Sequence, residues 1–307
     1  MAIQIGVVGL GQIARGQHLR AISDSPDFEL TATASPGDRL EGVPGYDTLD
    51  EMLRADHGLQ AVAMCQPTQT RYSDARRALE AGLHVLLEKP PAVTTGEVRA
   101  MADFARIRGL TLHASWHSRH APGVEPARLW LASRRIRAVE ILWKEDVRQF
   151  HPGSEWIWRT GGLGVFGSAI NAFSILTQVT PAPVFLTRAT LSYPANRAQP
   201  IAAELSFSDP AGAAITGTFD WRHSGPSVWD MRFDTDGGPL ALTQHGGALS
   251  LAGVEEPLPP QAQYRDVYRH FAGLIASGTS DVDEAPLQLV ADAFLCGEHR
   301  LVEPFED

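Results

Sequence analysis

The first third of the chain alternates short apolar runs with stretches whose apolar residues recur at helical spacing. Near-continuous apolar runs predict five buried strands, at residues 3–9, 29–35, 59–66, 84–90 and 110–116. Between the last two, residues 94–109 predict an amphipathic helix, and Thr94 and Glu97 have capping-box spacing at its start. Buried strands that alternate with helices are typical of a parallel sheet covered on both faces.

The pattern changes after about residue 120, where alternating strands separated by turn residues replace it. The predicted strands are residues 138–146, 184–194, 201–209, 213–222 and 227–238, and two helices, at residues 264–278 and 284–300, close the chain. We therefore predict a doubly wound α/β domain at residues 1–120. An α+β domain with a mainly antiparallel open sheet is predicted at residues 121–307.

The composition argues against several classes of function. The chain of 307 residues is long enough for two domains. Its residues are 44% hydrophobic and 20% charged, which is typical of a globular protein. The formal net charge of -10 disfavours nucleic acid and anionic membranes as partners, because both attract basic surfaces. The two cysteines, Cys65 and Cys296, are too few for a disulfide framework or a zinc cluster. Without a membrane-length apolar run or a basic leader, the expected location is the cytoplasm.

The first predicted strand runs into a glycine-rich turn of the form G-x-G-x-x-A, formed by Gly9, Gly11 and Ala14. The first glycine allows a tight turn, and the second allows a pyrophosphate to approach the backbone. The small third residue lets helix and strand pack closely, and the helix N-terminus offers N–H groups to phosphates. We therefore predict a Rossmann-type dinucleotide-binding domain, with a merely tight turn as the alternative.

The end of the second strand lacks the acid that usually binds the adenosine ribose of NAD. That acid is expected about 20 residues after the glycine turn, but Ala34 and Ser35 occupy the place here. Ser35 can bond to a ribose hydroxyl or to a 2′-phosphate, Arg39 can assist with the phosphate, and Asp38 opposes it. The sequence leaves NAD and NADP both open.

A third motif, Glu88-Lys89-Pro90, ends the apolar run at residues 84–90. Ligands bind outside the carboxyl ends of parallel strands, so a lysine there points into the cofactor crevice, and the proline fixes the turn that aims it. The glycine turn, E-K-P about 80 residues later and the antiparallel second domain together resemble the glucose–fructose oxidoreductase/inositol dehydrogenase (Gfo/Idh/MocA) family over essentially the whole chain.

Further segments in matching order resemble the bacterial aldose 1-dehydrogenases of this family, which oxidise L-arabinose or D-galactose. They are HASWHSRHA, WKEDVRQFHP, EWIW, GGLGVF, IAAEL, FDWRH and VADAFLCG. The resemblance implies a homodimer that oxidises the anomeric carbon of an aldose to a lactone with NAD or NADP. This chemistry requires no metal, and the histidines at 117, 120 and 151 lack zinc-site spacing. The resemblance also implies a first domain that holds the cofactor and a second domain for substrate and oligomerisation. The implied cofactor-binding residues are Gly9, Gly11, Gln12, Ile13, Ser35, Gln66, Pro67, Glu88 and Lys89.

When the family's residue roles are matched to this sequence one by one, the resemblance implies five catalytic or sugar-contacting residues. Lys89 matches the family's active-site lysine, and Asn171 matches a substrate-binding position on a helix. His117, Glu145 and His151 match polar residues that contact the sugar. Four of the five also have a structural alternative: a satisfied core histidine at 117, a surface ion pair at 145, a turn brace at 151 and helix stabilisation at 171.

The sequence departs from the family pattern most clearly at Gly167, where relatives have an acid four residues before the asparagine. Ala169 and Pro36 replace a glycine and an arginine of the relatives. If a helix begins near residue 168, positions 167 and 171 share one face, so Gly167 leaves empty space beside Asn171. Three alternatives stay open: an aldose dehydrogenase with one group missing or moved, a sugar-binding protein that does not oxidise, and an oxidoreductase acting at another carbon.

Oxidation of a cyclic sugar at C1 needs a hydride acceptor and a base for the anomeric hydroxyl proton. Without an acid at Gly167, this base must be Lys89, Glu145, His151 or an ordered water. Lys89 is the first choice, because partial burial and the positive charge of the oxidised nicotinamide lower the pKa of its amine. His151 is the second choice, since an ordinary histidine titrates at about pH 6.5.

Overall fold

The computed structural model describes residues 2–55 and 57–306. The strands are β1 (Ile3–Val8), β2 (Phe28–Ala34), β3 (Gly45–Tyr46), β4 (Ala61–Met64), β5 (His84–Glu88), β6 (Leu112–Ser115), β7 (Ile136–Lys144), β8 (Phe185–Pro194), β9 (Ala202–Ser208), β10 (Ala214–Asp220), β11 (Val228–Thr235), β12 (Gly238–Thr243), β13 (Ala248–Leu251), β14 (Val254–Glu255) and β15 (Glu298–Val302). The α-helices are α1 (Leu19–Ser23), α2 (Leu49–Arg54), α3 (Thr68–Glu80), α4 (Thr95–Arg108), α5 (Val124–Leu131), α6 (Val147–Phe150), α7 (Phe166–Val179), α8 (Gln263–Ser277) and α9 (Ala285–Cys296). Among these described residues, no helix has both the length and the apolar character that crossing a membrane requires.

The chain divides into two compact units. The first comprises Met1–His117 and Gln263–Glu284, and the second comprises Ser118–Ala262 and Ala285–Asp307. The predicted division at residue 120 differs from this one chiefly in the segment that contains α8, which the prediction assigned to the second domain. The difference has a packing cause, because one face of α8 is buried in the core of the first unit together with β1 and α1. The α8 residues of that core are Tyr264, Val267, Tyr268 and Phe271.

The first unit contains a six-stranded sheet in the order β3-β2-β1-β4-β5-β6. Every pair of neighbouring strands is parallel, which confirms the predicted doubly wound Rossmann-type sheet. Starting from β1, the strands β2 and β3 are added on one side, and β4, β5 and β6 are added on the other. The order of strands therefore switches between β1 and β4. Dinucleotides bind at such a switch point, outside the carboxyl ends of the strands. Ser35, Gln66 and Lys89 directly or closely follow β2, β4 and β5 at this edge.

Both ends of helix α4 are determined by residues next to them in the sequence. The Thr94 hydroxyl accepts a bond from the Glu97 N–H at 3.2 Å, and the Glu97 carboxylate accepts one from the Thr94 N–H at 3.2 Å. The helix ends at Gly109, whose φ of 66° is the left-handed conformation that glycine adopts without strain. The predicted capping box and amphipathic helix are therefore confirmed.

The second unit contains a nine-stranded sheet in the order β14-β13-β12-β11-β7-β10-β9-β8-β15. Its neighbours are antiparallel except for two parallel pairs, β7 with β10 and β8 with β15, so the predicted mainly antiparallel sheet is confirmed. The helix predicted at residues 284–300 ends earlier, at Cys296. The residues after it form β15, because pairing with the edge of β8 satisfies their backbone groups.

Candidate active site

The glycine turn after β1 brings two loops of the first unit into close contact. Gly9 has a φ of 87°, and a Cβ there would lie 2.6 Å from the backbone nitrogen of Gln66. At Gly11 a Cβ would meet no atom within 4 Å, so the backbone is open to a ligand. The backbone is helical from Gln12 onward and leads into α1, and the first turn of such a segment has N–H groups without intrahelical partners. This geometry fits a bound pyrophosphate.

Gln66 provides a second feature that fits a dinucleotide. Its side-chain nitrogen donates to the Asp74 carboxylate at 3.2 Å, whereas its Oε1 is buried without a hydrogen-bond partner among the described residues. Buried acceptors are nearly always paired, so an orphaned acceptor on the loop that touches Gly9 fits a hydroxyl of a bound ligand. Pro67 follows directly and precedes α3.

Two guanidinium groups, those of Arg15 and Arg39, lie near the loop that follows β2. The Ser35 hydroxyl accepts a bond from the Leu10 N–H at 3.3 Å, which joins this strand end to the glycine turn. Arg39 donates to the Ser35 carbonyl at 3.1 Å. Arg15 pairs with Asp38 at 2.6 Å, so a cation already compensates the carboxylate that the sequence predicted to oppose a 2′-phosphate.

Glu88 is buried inside the first unit, directly before Lys89. Its Oε1 accepts a bond from the Tyr264 hydroxyl at 2.5 Å and lies 3.3 Å from Nε2 of His18. Burial alone would favour the neutral acid, but the pairing with His18 outweighs burial and lowers the pKa of Glu88 to about 2. The carboxylate is therefore ionised throughout the neutral range.

The structure shows that the Glu88 carboxylate is bonded within the first unit, to Tyr264 and His18. The contact with the cofactor that the resemblance implied stays a prediction. The bonds of the carboxylate anchor the strand end that carries Lys89. Sequence reasoning missed Tyr264 and His18, which lie 176 and 70 residues away from Glu88 and belong to no local motif.

Arg71 holds the backbone on both sides of Lys89. Its buried guanidinium donates to the carbonyl groups of Gln66, Glu88 and Pro90. Burial lowers the pKa of Arg71 to about 10, which leaves the group charged at neutral pH. The Lys89–Pro90 peptide bond is cis. Lys89 is half-buried. The backbone on both sides of it is held by the Arg71 guanidinium, which bonds to three carbonyl groups.

His117 lies just after β6 in the first unit and is only 7% exposed. Its Nδ1 lies 3.0 Å from Oε1 of Gln263, and its ring stacks on Tyr264 with centroids 5.0 Å apart. Burial lowers the pKa of His117 to about 4; the positive charge of Lys89 adds to this, whereas Glu88 opposes it. The ring is therefore neutral at neutral pH. With Nδ1–H donating to Gln263, Nε2 is a hydrogen-bond acceptor.

We expect His117 to make the protein less stable in mild acid. The unfolded chain binds this proton near pH 6.5, but the folded chain binds it only near pH 4. His117 therefore does not change the free energy of unfolding above pH 6.5. As the pH drops from 6.5 to 4, its contribution lowers the free energy of unfolding by up to about 3 kcal/mol. His117→Asn removes this proton, so its stability should depend less on pH. Denaturant unfolding at both ends of the range measures the difference.

The matched control for this prediction is His299→Asn, which replaces an exposed histidine of β15. The control should keep the pH dependence of the unchanged protein. If His117→Asn and the control have equal pH slopes between 6.5 and 4, the assigned pKa of His117 is wrong.

Glu145 has a buried carboxylate held by two tryptophans of the second unit. Trp221 Nε1 donates to Oε1 at 3.1 Å, and Trp229 Nε1 donates to Oε2 at 2.8 Å. The residue follows β7 and is 4% exposed, so it is not the exposed ion-pair partner of the structural alternative. A buried carboxylate is costly unless bonded, and two indole donors reduce that cost at a fixed orientation.

Trp221 brings together residues that are distant in sequence. Its indole N–H also lies 2.8 Å from the Ser168 hydroxyl, and the His151 ring lies 5.3 Å away between centroids. A Cβ at Gly167 would lie 3.6 Å from Cη2 and Cζ2 of the same indole. Glu145, His151 and Gly167 therefore surround one fully buried side chain. The sequence singled out Trp221 only as part of the FDWRH segment, where no local pattern distinguishes it from a core tryptophan.

Asn171 lies on α7 and shares a helix face with Gly167 and Ser168. It is 8% exposed, and its side-chain amide forms no hydrogen bond with any residue in 2–55 or 57–306. Its carbonyl oxygen accepts a bond from the Ser174 hydroxyl at 2.7 Å, which is ordinary for a helix. Its side chain therefore does not stabilise the helix through a hydrogen bond among the described residues, and substrate binding stays the prediction for Asn171.

Comparisons with known proteins identify relatives of this chain. A family model described as "Oxidoreductase family, NAD-binding Rossmann fold" (Gfo/Idh/MocA) matches residues 3–115. A galactose 1-dehydrogenase from Pseudomonas fluorescens is 41% identical over 99% of both chains. The crystal structure of a D-galactose-1-dehydrogenase from Rhizobium etli has a TM-score of 0.94 and 47% identity, covering 99% of this chain and 98% of that one. KijD10, a 3-ketoreductase from Actinomadura kijaniata solved with NADP and TDP-benzene, is similar in fold alone, at 20% identity and a TM-score of 0.86 over 98% of this chain and 100% of that one.

Proposed function

We propose a reaction for this chain, which belongs to the Gfo/Idh/MocA family of NAD(P)-dependent oxidoreductases: it oxidises the anomeric carbon of an aldose to the lactone. The proposed aldoses are D-galactose and L-arabinose. The observation that carries the proposal is the buried Glu145 carboxylate, fixed by two indole groups in the same unit as the amide of Asn171. The similarity to galactose 1-dehydrogenases along the whole chain supports it.

The polar groups of the second unit suit a sugar. Each carboxylate oxygen of Glu145 accepts one indole N–H, so the group is an acceptor held in a fixed orientation. The amide of Asn171 both donates and accepts, and the His151 ring adds a third polar group. A small number of polar groups together with aromatic side chains is typical of small-molecule sites.

The first unit carries the groups that fit the cofactor. When bound there, the oxidised nicotinamide accepts a hydride. As the C1–H bond of the sugar breaks with its electron pair, the anomeric O–H gives its proton to the neutral amine of Lys89, and a C1=O double bond forms. Lys89 is the proposed base because Arg71 and Glu88 fix the backbone that carries it. His151 is the second choice for this role.

The test is oxidation of a panel of aldoses with NAD+ and with NADP+, followed by the absorbance of the reduced nicotinamide. We expect turnover with D-galactose or L-arabinose. We also expect a lactone product that hydrolyses to an acid, which distinguishes oxidation at C1 from oxidation at another carbon. Absence of turnover with every pentose and hexose would remove the proposal.

Gly167 favours a second candidate function, in which the protein binds cofactor and sugar without oxidising the sugar. Its position lies against the indole that holds Glu145, and it contributes no carboxylate there. Calorimetry distinguishes the two functions. Sugar binding in the presence of cofactor, without any reduced nicotinamide over long incubation, would support the binding function.

We propose that Arg39 helps to bind the 2′-phosphate of NADP+. A guanidinium bonded to the Ser35 carbonyl is placed for a phosphate ester at the end of β2. Arg39→Ala should raise the dissociation constant of NADP+ by about tenfold or more, which corresponds to the loss of one charge-assisted bond, and should leave that of NAD+ nearly unchanged. Fluorescence titration with each cofactor measures both constants.

Arg54→Ala is the matched control for Arg39, because it removes an exposed arginine at the end of α2 from the same unit. The control should leave both dissociation constants unchanged. Equal weakening of NAD+ and NADP+ by Arg39→Ala would mean that Arg39 supports the loop and does not read the phosphate.

A further inference from the structure

A cluster of two histidines and one aspartate lies in the first unit, apart from the residues assigned to catalysis. His113 on β6, His270 on α8 and Asp281 each offer one ligand atom, and these atoms lie within 4.8 Å of one another. Nε2 of His270 lies 2.8 Å from Oδ2 of Asp281, and Nδ1 of His113 lies 3.9 Å from the same oxygen. We propose that this His113–His270–Asp281 cluster binds a divalent transition-metal ion, with Zn²⁺ as the first candidate.

The backbone holds two of the three groups side by side. The Ala114 N–H donates to the Asp281 carbonyl at 2.9 Å, and the Asp281 N–H donates to the Leu112 carbonyl at 3.1 Å. These bonds pair Asp281 with His113 as a parallel bridge to β6. The His270 ring approaches the His113 ring edge-on, with centroids 5.1 Å apart. The three ligands therefore come from a strand, a helix and a bridged segment that the core already fixes.

The cluster has one buried side and one side open to water. The His113 side chain is 2% exposed, whereas the side chains of His270 and Asp281 are 40% and 44% exposed. An ion can enter from solvent, and water molecules can complete its coordination. Sites with three protein ligands and an open position are common for zinc.

The donor set selects the class of metal. Two imidazole nitrogens and one carboxylate oxygen suit Zn²⁺, Co²⁺, Ni²⁺ or Cu²⁺, whereas Ca²⁺ and Mg²⁺ prefer oxygen ligands alone. Around tetrahedral zinc, ligand atoms lie about 3.3 Å apart. Reaching this spacing requires shifts of about 1 Å, which the half-exposed side chains of His270 and Asp281 can make. The ion would take the place of the proton between these two residues.

Metal binding would link α8 to β6 through His270 and His113. Helix α8 carries Gln263 and Tyr264, which bond to His117 and Glu88. The ion would therefore stabilise the helix that supports these residues, without taking part in the proposed reaction. Its expected effect is on stability, and it can be tested whether or not the protein oxidises sugars.

The experiment uses the full chain without a purification tag, stripped with a chelator and then titrated with Zn²⁺ by calorimetry. We expect one ion per chain. At a free concentration of about 100 times the dissociation constant, Zn²⁺ should raise the Tm by about 5 °C. Titration with Co²⁺ should give the visible absorption of a low-coordinate ion with nitrogen ligands.

Two variants remove ligands at half-exposed positions, where folding should survive. His270→Ala and Asp281→Asn should each weaken Zn²⁺ binding at least about tenfold and abolish the rise in Tm, with unchanged circular dichroism. His299→Ala, which removes an exposed histidine of the second unit, should bind as the unchanged protein does. The proposal fails if His270→Ala binds Zn²⁺ as tightly as the control, or if cobalt keeps the spectrum of the hydrated ion.

Discussion

Replacing Lys89 with alanine should lower kcat for the preferred aldose by about 10²–10⁴, which is the usual contribution of one positioned acid–base group. Lys89 extends from the end of β5, where Arg71 and the buried Glu88 fix its backbone. These bonds do not involve the amine, so Lys89→Ala should keep the fold and most of the cofactor affinity. Steady-state kinetics and cofactor titration together measure the effect.

Lys89→Arg separates proton transfer from charge. Arginine keeps a cation at this position but has a pKa too high to act as a base. If Lys89 takes the anomeric proton, both variants should be nearly inactive, and small primary amines should partly rescue Lys89→Ala. Substantial activity in Lys89→Arg would limit the role of Lys89 to charge. Substantial activity in folded Lys89→Ala would show that another group is the base.

The elements that local sequence specifies were predicted well. The Thr94–Glu97 capping box and the G-x-G turn at Gly9 each depend on residues a few positions apart, and both occur as predicted. Helix α8 was also predicted, but its place in the first unit was not, because an amphipathic pattern identifies a buried face without identifying what buries it. Residues 263–284 pack with the first unit through contacts that no local pattern contains.

The candidate site was predictable only in part. The place of Lys89 follows from topology, since the carboxyl ends of parallel strands meet at one edge of the sheet. The indole that holds Glu145 lies 76 residues away, and the hydroxyl that holds Glu88 lies 176 residues away. Such pairs depend on the register of packed elements, which a single sequence does not reveal. The motifs therefore indicated candidate groups but missed the Trp221 and Tyr264 contacts that orient Glu145 and Glu88.

Restoring a carboxylate at position 167 should increase turnover. In the unchanged chain a Cβ at this position would lie 3.6 Å from Trp221, an ordinary contact distance, so the Cβ of Gly167→Asp should not displace the indole. The position is the second residue of α7, where the helix dipole favours a negative charge. The new carboxylate would add a second group able to take the anomeric proton, and we expect kcat to rise by up to about 10².

Gly167→Asp should also change the pH dependence of kcat. The introduced carboxyl group would approach the indole that also binds Glu145, and like charges close together raise the pKa of one carboxyl group. Gly167→Asp should therefore acquire a new acidic limb in the pH dependence of kcat. The limb would mark the titration of the added base.

Two controls separate charge from shape at this position. Gly167→Ala fills the space of the Cβ alone, and Gly167→Asn copies the shape of the aspartate without its charge. Both should keep the turnover and pH profile of the unchanged protein, since neither adds a base. If Gly167→Asp is folded, binds cofactor and is no faster than these two, the missing acid is not what limits turnover. Glu145 and Lys89 would then already provide what the chemistry needs.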